Sequence, residues 1–315
     1  MRVTLHPESI NSLQTMLFVN SLLIVIATWW IGTGVVLYIQ QRVHTAGRHL
    51  VINLLAVAAM SLMVLKLAAG DTGNSHSYAG FIAAVSLWGC LELSYFTGLL
   101  GGIHSNPCPP QCRGFRRFGM ALGASIWHEI TVLAVSLCVV ALCWQEVNHA
   151  GLSTFLVLCL MRWSAKLNLF FGVPNFNADW FPDHLAYARS YMKRASVSLF
   201  FPLSVLAATI TSISLMIDTL AQPASQALMY ALPCVLLMLA ILEHLFMVLP
   251  IADSALWNRV FAVDGESSAR SSDTAVRPNV CQKKSADAPR SCSADDSVAI
   301  SVAGVEPPTP ESLVH

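Results

Sequence analysis

LVINLLAVAAMSLMVLKLAA, residues 50–69, carries one charged side chain, Lys66, along its whole length. Wound as an α-helix at about 1.5 Å per residue, a stretch of this length reaches about 30 Å, the thickness of the hydrocarbon layer of a bilayer. It therefore reads as a transmembrane helix. Lys66 sits near one end, where its stem can snorkel toward water beside Asp71.

Working outward, six more stretches have the same character: residues 16–39, 78–102, 118–144, 151–172, 195–217 and 226–248. The expected architecture is an all-α, polytopic transmembrane bundle of about seven helices occupying 16–261. A short N-terminal segment, 1–15, precedes it. From 262 to 315 the chain turns rich in Ser, Ala, Asp, Pro and Lys and poor in aromatics. Such a tail cannot bury enough apolar surface to offset its ordering entropy and is expected to be disordered.

Composition supports the bundle. Hydrophobic residues make up 55% of the chain and charged residues 11%, against roughly 25% charge in soluble domains. So few charges cannot cover a water-exposed surface, and a soluble catalytic domain is not expected. The formal net charge is zero and no long basic run precedes the tail, which argues against a nucleic-acid partner; the expected surroundings are a lipid bilayer. Five of the nine cysteines, Cys90, Cys138, Cys143, Cys159 and Cys234, lie in apolar segments, where Cys behaves as a small hydrophobe. The first apolar run, 16–38, is too long for a signal-peptide core and lacks an A-x-A site.

Orientation follows from Lys and Arg in short loops. Arg42 and Arg48 flank the first loop, Arg113, Arg116 and Arg117 the third, and Arg189, Lys193 and Arg194 the fifth. The second, fourth and sixth loops have none. That alternation places the N-terminus outside and the C-terminus in the cytoplasm.

Ionisable groups in hydrocarbon cost about 2.5–3.5 kcal/mol each on insertion scales. Besides Lys66 near the end of the second, seven stand inside the expected spans: Glu92 in the third, His128 and Glu129 in the fourth, Arg162 and Lys166 in the fifth, Glu243 and His244 in the seventh. Counted from the cytoplasmic ends, they fall in one slab of the inner half. Arg162 and Lys166, four apart, share a helix face. Three glutamates are available for two cations, which leaves one negative charge over. A structural ion-pair network accounts for this pattern; so does a site for a divalent metal, a tetrapyrrole or a proton, with His128, Glu129, Glu92, Glu243 and His244 as candidate ligands. The spacing is not the E-x-x-H repeat of di-iron bundles. Cys108 and Cys112 in CPPQC fall short of the four grouped ligands of a zinc site and are expected to be reduced thiols. Trp29 and Trp30 read as packing or interfacial residues.

Several segments together carry a family likeness: WWIGTGVVLY (29–38), LWGCLELSYFTGLLGG (87–102), PCPPQCRGFRRF (107–118), IWHEI (126–130), FLVLCLMRWSAKLNLFFGVPN (155–175) and LEHLFMVLPIADSALW (242–257). With these the chain resembles the PuhE-type photosynthetic complex assembly protein 2 family of purple bacteria and their relatives, over about residues 20–260. In that family a His often precedes the glutamate of the third helix; Leu91 stands there in this chain.

The resemblance implies a multi-pass protein of the bacterial inner membrane that assists reaction-centre or antenna formation, or bacteriochlorophyll supply. The partners it implies are reaction-centre or light-harvesting subunits and other assembly factors. Two alternatives stay open: a membrane enzyme of bacteriochlorophyll synthesis that binds a divalent metal or a tetrapyrrole (bacteriochlorophyll or a precursor), and a transporter.

Overall fold

A computed structural model describes residues 7–42, 47–175 and 183–249. The expectation for the tail lies outside the described residues. Eight α-helices occur among those described: α1 Pro7–Arg42, α2 Arg48–Ala69, α3 Asn74–Phe96, α4 Gly114–Gly123, α5 Ile126–Cys143, α6 Ala150–Phe171, α7 Phe200–Ala221 and α8 Ala224–Phe246. A 3-10 helix, Asp183–Tyr191, lies between α6 and α7. Seven of the α-helices, all but α4, are long and apolar enough to cross a membrane. The chain is thus a multi-pass helical bundle, and no β-strand occurs among the described residues beyond one isolated bridge, Val173 to Arg194.

The core divides at a shared wall made by α3 and α6. On one side Leu65 of α2 and Val132, Val139 and Cys143 of α5 pack on Leu87 and Leu91 of α3 and Phe155 of α6. On the other, Val25 of α1, Ala208 of α7 and Leu228, Leu232 and Val235 of α8 pack on Phe81 of α3 and Val157 of α6. Helix association in lipid gains little from hydrophobicity and relies on close packing. Gly80 and Gly151 permit it here. A Cβ on Gly151 would stand 2.4 Å from Leu65 Cδ2 and 2.9 Å from the Gly80 carbonyl oxygen, so only glycine lets α3 and α6 touch backbone to backbone.

The stretch 118–144, expected as one span, is two helices. The axis breaks at Ala124 and Ser125, where Ser125 takes φ −135° and ψ 22°. The carbonyls freed by the break find partners in a loop and in the 3-10 helix. Gly123 O accepts the Ile103 N–H at 2.9 Å, and Ala124 O accepts the Tyr187 hydroxyl at 3.3 Å. The close approach depends on glycine twice: a Cβ on Gly102 would overlap the Gly123 carbonyl oxygen at 2.1 Å, and one on Gly123 would meet the His104 ring at 2.5 Å. Because the spanning part is only α5, its polar residues begin in the first helical turn rather than ten residues in.

At the opposite end of the bundle, Asn148 clamps the turn between α2 and α3. It donates to Asp71 O at 2.8 Å and Ser77 Oγ at 3.1 Å, and its Oδ1 accepts the Ala150 N–H at 3.0 Å. Lys66 pairs with Glu146, not with Asp71, and also donates to Leu142 O at 3.2 Å. Asp71 instead accepts the Gly73 N–H at 2.7 Å, closing its own turn.

Candidate functional site

Five of the seven ionisable residues expected inside the spans converge from α3, α5 and α6. Arg162 Nε stands 2.6 Å from Glu92 Oε1. The N–H is not aimed at that oxygen, so the contact is an ion pair rather than an aligned hydrogen bond. Lys166 pairs with Glu129. Glu129 is further held by the Trp163 indole N–H at 2.8 Å and the Ser125 hydroxyl at 3.2 Å. It also lies in the first turn of α5, where the helix dipole favours negative charge.

Tyr95, one turn beyond Glu92 on α3, floors the cluster. Its ring centroid is 5.7 Å from Arg162 Cζ and 5.2 Å from Lys166 Nζ, which adds cation–π attraction to both ion pairs. The same ring is 4.9 Å, centroid to centroid, from His128. Nothing in residue type alone marks Tyr95, Trp163 or Ser125 as members. Their signal is positional: Tyr95 is i+3 from Glu92, and Trp163 lies between the two cations.

His128 is 1% exposed, and neither ring nitrogen has a hydrogen-bond partner among the described residues. Its Nε2 is 4.0 Å from Glu92 Oε1, too far for a hydrogen bond. It is the least satisfied polar side chain of the cluster.

Glu243 and His244 of α8 do not join this set. Ser164 lies two residues from Arg162 and two from Lys166, so at 100° per residue it points to the far side of α6. There its hydroxyl meets His244 Nε2 at 2.9 Å, while His244 Nδ1 bonds the Ala240 carbonyl at 2.9 Å. Asn168, fully buried, continues the chain to Ser164 at 3.4 Å and to Ser204 of α7 at 3.1 Å. Glu243 is exposed and hydrogen-bonds Trp29 of α1. Equal depth therefore does not mean a common centre. The leftover negative charge of the sequence count disappears with it: two carboxylates, Glu92 and Glu129, face two cations, Arg162 and Lys166.

The donor set does not suit a divalent metal. Both carboxylates are engaged by cations, and among the described residues no three His, Cys, Asp or Glu side chains come together as metal ligands. Nor can a tetrapyrrole ring reach His128 without separating helices already in contact, because the imidazole is sealed by its neighbours.

Cys108 and Cys112 are free thiols on the loop between α3 and α4. Cys112 is buried, with its sulfur 3.4 Å from Met120 Sδ. The Cys108 N–H donates to Ser190 Oγ at 2.7 Å, tying this loop to the 3-10 helix. Partial burial and the neighbouring Cys112 push the Cys108 thiol above its ordinary range.

No solved structure matches the chain. A protein of Rhodobacter capsulatus described as "Uncharacterized 30.4 kDa protein in puhA 5′ region" is 35% identical over 238 residues, which cover 74% of this chain and 86% of that protein. A family model matches residues 15–267, and on that match the chain belongs to the family described as "Protein of unknown function (DUF3623)".

Proposed function

We propose that this protein is a membrane-embedded assembly factor of the PuhE type. It would sit in the bacterial inner or intracytoplasmic membrane with its N-terminus outside and its C-terminus in the cytoplasm. It would help reaction-centre or light-harvesting subunits come together, or help supply them with bacteriochlorophyll. The single observation that carries the reading is the similarity to a relative whose description places it in the puhA 5′ region, a photosynthesis gene neighbourhood.

The site is compatible with a scaffolding role. Its charges are balanced within the protein, and each ion pair links two helices, Glu92 of α3 to Arg162 of α6 and Glu129 of α5 to Lys166 of α6. Such a network fixes the relative rotation of three helices, which gives a bundle of defined outer shape for other membrane subunits to meet. An enzyme of the bacteriochlorophyll pathway would need a donor set open to metal or pigment, and a transporter would need a wet path past the charges. The closed ion pairs favour neither.

The test is a deletion strain grown phototrophically, with near-infrared absorbance of reaction centre and antenna as the readout. The expected result is a clear loss of one or both bands, restored by the wild-type gene and only in part by a Glu92→Gln version. Normal bands in the deletion strain would contradict the proposal.

A further inference from the structure

The short helix α4 is unlike the other seven. It is short and amphipathic where they are long and predominantly apolar, and it lies just outside the membrane-spanning helix α5. Phe115, Phe118 and Leu122 fall within about 60° of one another on its surface at 100° per residue. They are exposed, Phe115 to 95%. Arg113 at the helix start and Arg116 beside Phe115 are exposed as well. The opposite face is fastened down. Arg117 donates to Tyr191 O at 2.7 Å and lies 4.6 Å over the Phe170 ring. The exposed face is therefore a fixed feature of the fold, not a helix waiting to dock elsewhere on this chain.

Its position names the occupant. α5 is 18 residues long, about 27 Å at 1.5 Å per residue, and so just spans hydrocarbon. The break at Ala124 and Ser125 then falls at the hydrocarbon boundary, and α4 ends there. The same end of the bundle exposes Leu199, 90% accessible at the start of α7, and Lys193. The described carboxylates nearest that end are already engaged, Glu129 by Lys166 and Glu243 by Trp29. Large apolar side chains beside arginines at the level of the headgroups match an interfacial helix.

We propose that α4 is an anionic-phospholipid binding element. In it, Phe115, Phe118 and Leu122 enter the acyl boundary, and Arg113 and Arg116 hold lipid phosphates. This does not depend on the assembly role and holds for any function of the chain.

The experiment uses the full chain in nanodiscs of zwitterionic lipid with an anionic phosphatidylglycerol fraction. 4-Fluorophenylalanine at position 115 reports its location by 19F NMR. The expected result is broadening by a lipid carrying a spin label high on its acyl chain and none by a water-soluble gadolinium chelate. Native mass spectrometry of the wild-type chain and of the Arg113→Gln/Arg116→Gln variant then reads retention of phosphatidylglycerol. Each basic side chain near an anionic surface is worth about a factor of five, so the double variant should bind about twenty-five-fold more weakly. A Gly119→Ala control, whose new Cβ meets nothing within 4 Å, should bind as the wild type does. Broadening by gadolinium would place the face in water. Shielding from both agents would mean that a protein covers it. Unchanged lipid retention in the double variant would remove the arginines from the site. Any of these three overturns the proposal.

Discussion

The two ion pairs are not equivalent, and their neighbours decide which of them the protein can lose. Glu129 keeps two hydrogen-bond donors, the Trp163 indole and the Ser125 hydroxyl, even without its lysine. Among the described residues Glu92 has only Arg162 within ion-pair distance besides the unaligned His128. Breaking a buried pair by removing one partner costs about 3–5 kcal/mol when the other charge is stranded. Arg162→Ala is therefore expected to approach that loss, and Lys166→Ala to cost less, about 1–3 kcal/mol. Unfolding in mild detergent, followed by circular dichroism, gives the order; Lys166→Ala as the costlier change would contradict it. Outside the membrane, Cys108 offers a pH test. Its thiol is held above the ordinary range, so little thiolate exists at pH 7 and the thiolate fraction grows only at higher pH. Mass-spectrometric mapping of maleimide labelling should show Cys108 slow at neutral pH and faster as pH rises; rapid labelling at pH 7 would refute the assignment. The ionisable members of the cluster were legible from type alone, since each is costly in hydrocarbon. Tyr95, Trp163 and Ser125 were not, because aromatic and hydroxyl residues are ordinary in membrane helices. Depth along a helix can be counted in residues, but the direction a side chain faces cannot. For that reason Glu243 and His244 shared the slab without sharing the site.

The elements themselves were easier to read than their breaks. An uninterrupted apolar run of about 20 residues has only one regular way to satisfy its backbone in lipid, so the spanning helices follow from residue type. The break between α4 and α5 follows from a tertiary contact instead: the carbonyl of Gly123 is taken by Ile103 N–H, from a loop more than a dozen residues earlier. Arg116 and Arg117 beside Gly119 and Gly123 were the available sign that the amphipathic part is not a span. Helix contact likewise depends on single atoms. At Gly151 a Cβ would meet backbone of Gly80 as well as Leu65, and backbone cannot rotate away. Gly151→Val is expected to push α3 from α6 and to cost at least about 2 kcal/mol, seen as a lower unfolding midpoint and lower yield of monodisperse protein. A Gly151→Val protein as stable as wild type would mean that α3 and α6 do not touch there.

For the whole molecule, the charge pattern and the packing meet in one arrangement. Arginines gather at the end that holds α4 and the 3-10 helix, while Asp71, Glu146 and Asp218 lie at the other. Alkaline phosphatase fused after residue 72 or 147 should be active, and after residue 113 inactive, if the arginine end is cytoplasmic. The reverse pattern would invert the proposed topology. The wall between the two core halves is formed by α3 and α6, and both ion pairs anchor on α6. A bundle organised this way should lose its rigidity through that wall before its outer helices fail. The most direct measurement is a double-mutant cycle on Glu92 and Arg162, using Glu92→Gln, Arg162→Gln and the double variant, with unfolding free energies in mild detergent. A buried pair predicts that each single change is costly, that the double variant recovers part of the loss, and that the coupling reaches about 2 kcal/mol. Single changes of a few tenths of a kcal/mol that simply add would show that the two side chains do not meet inside the bundle.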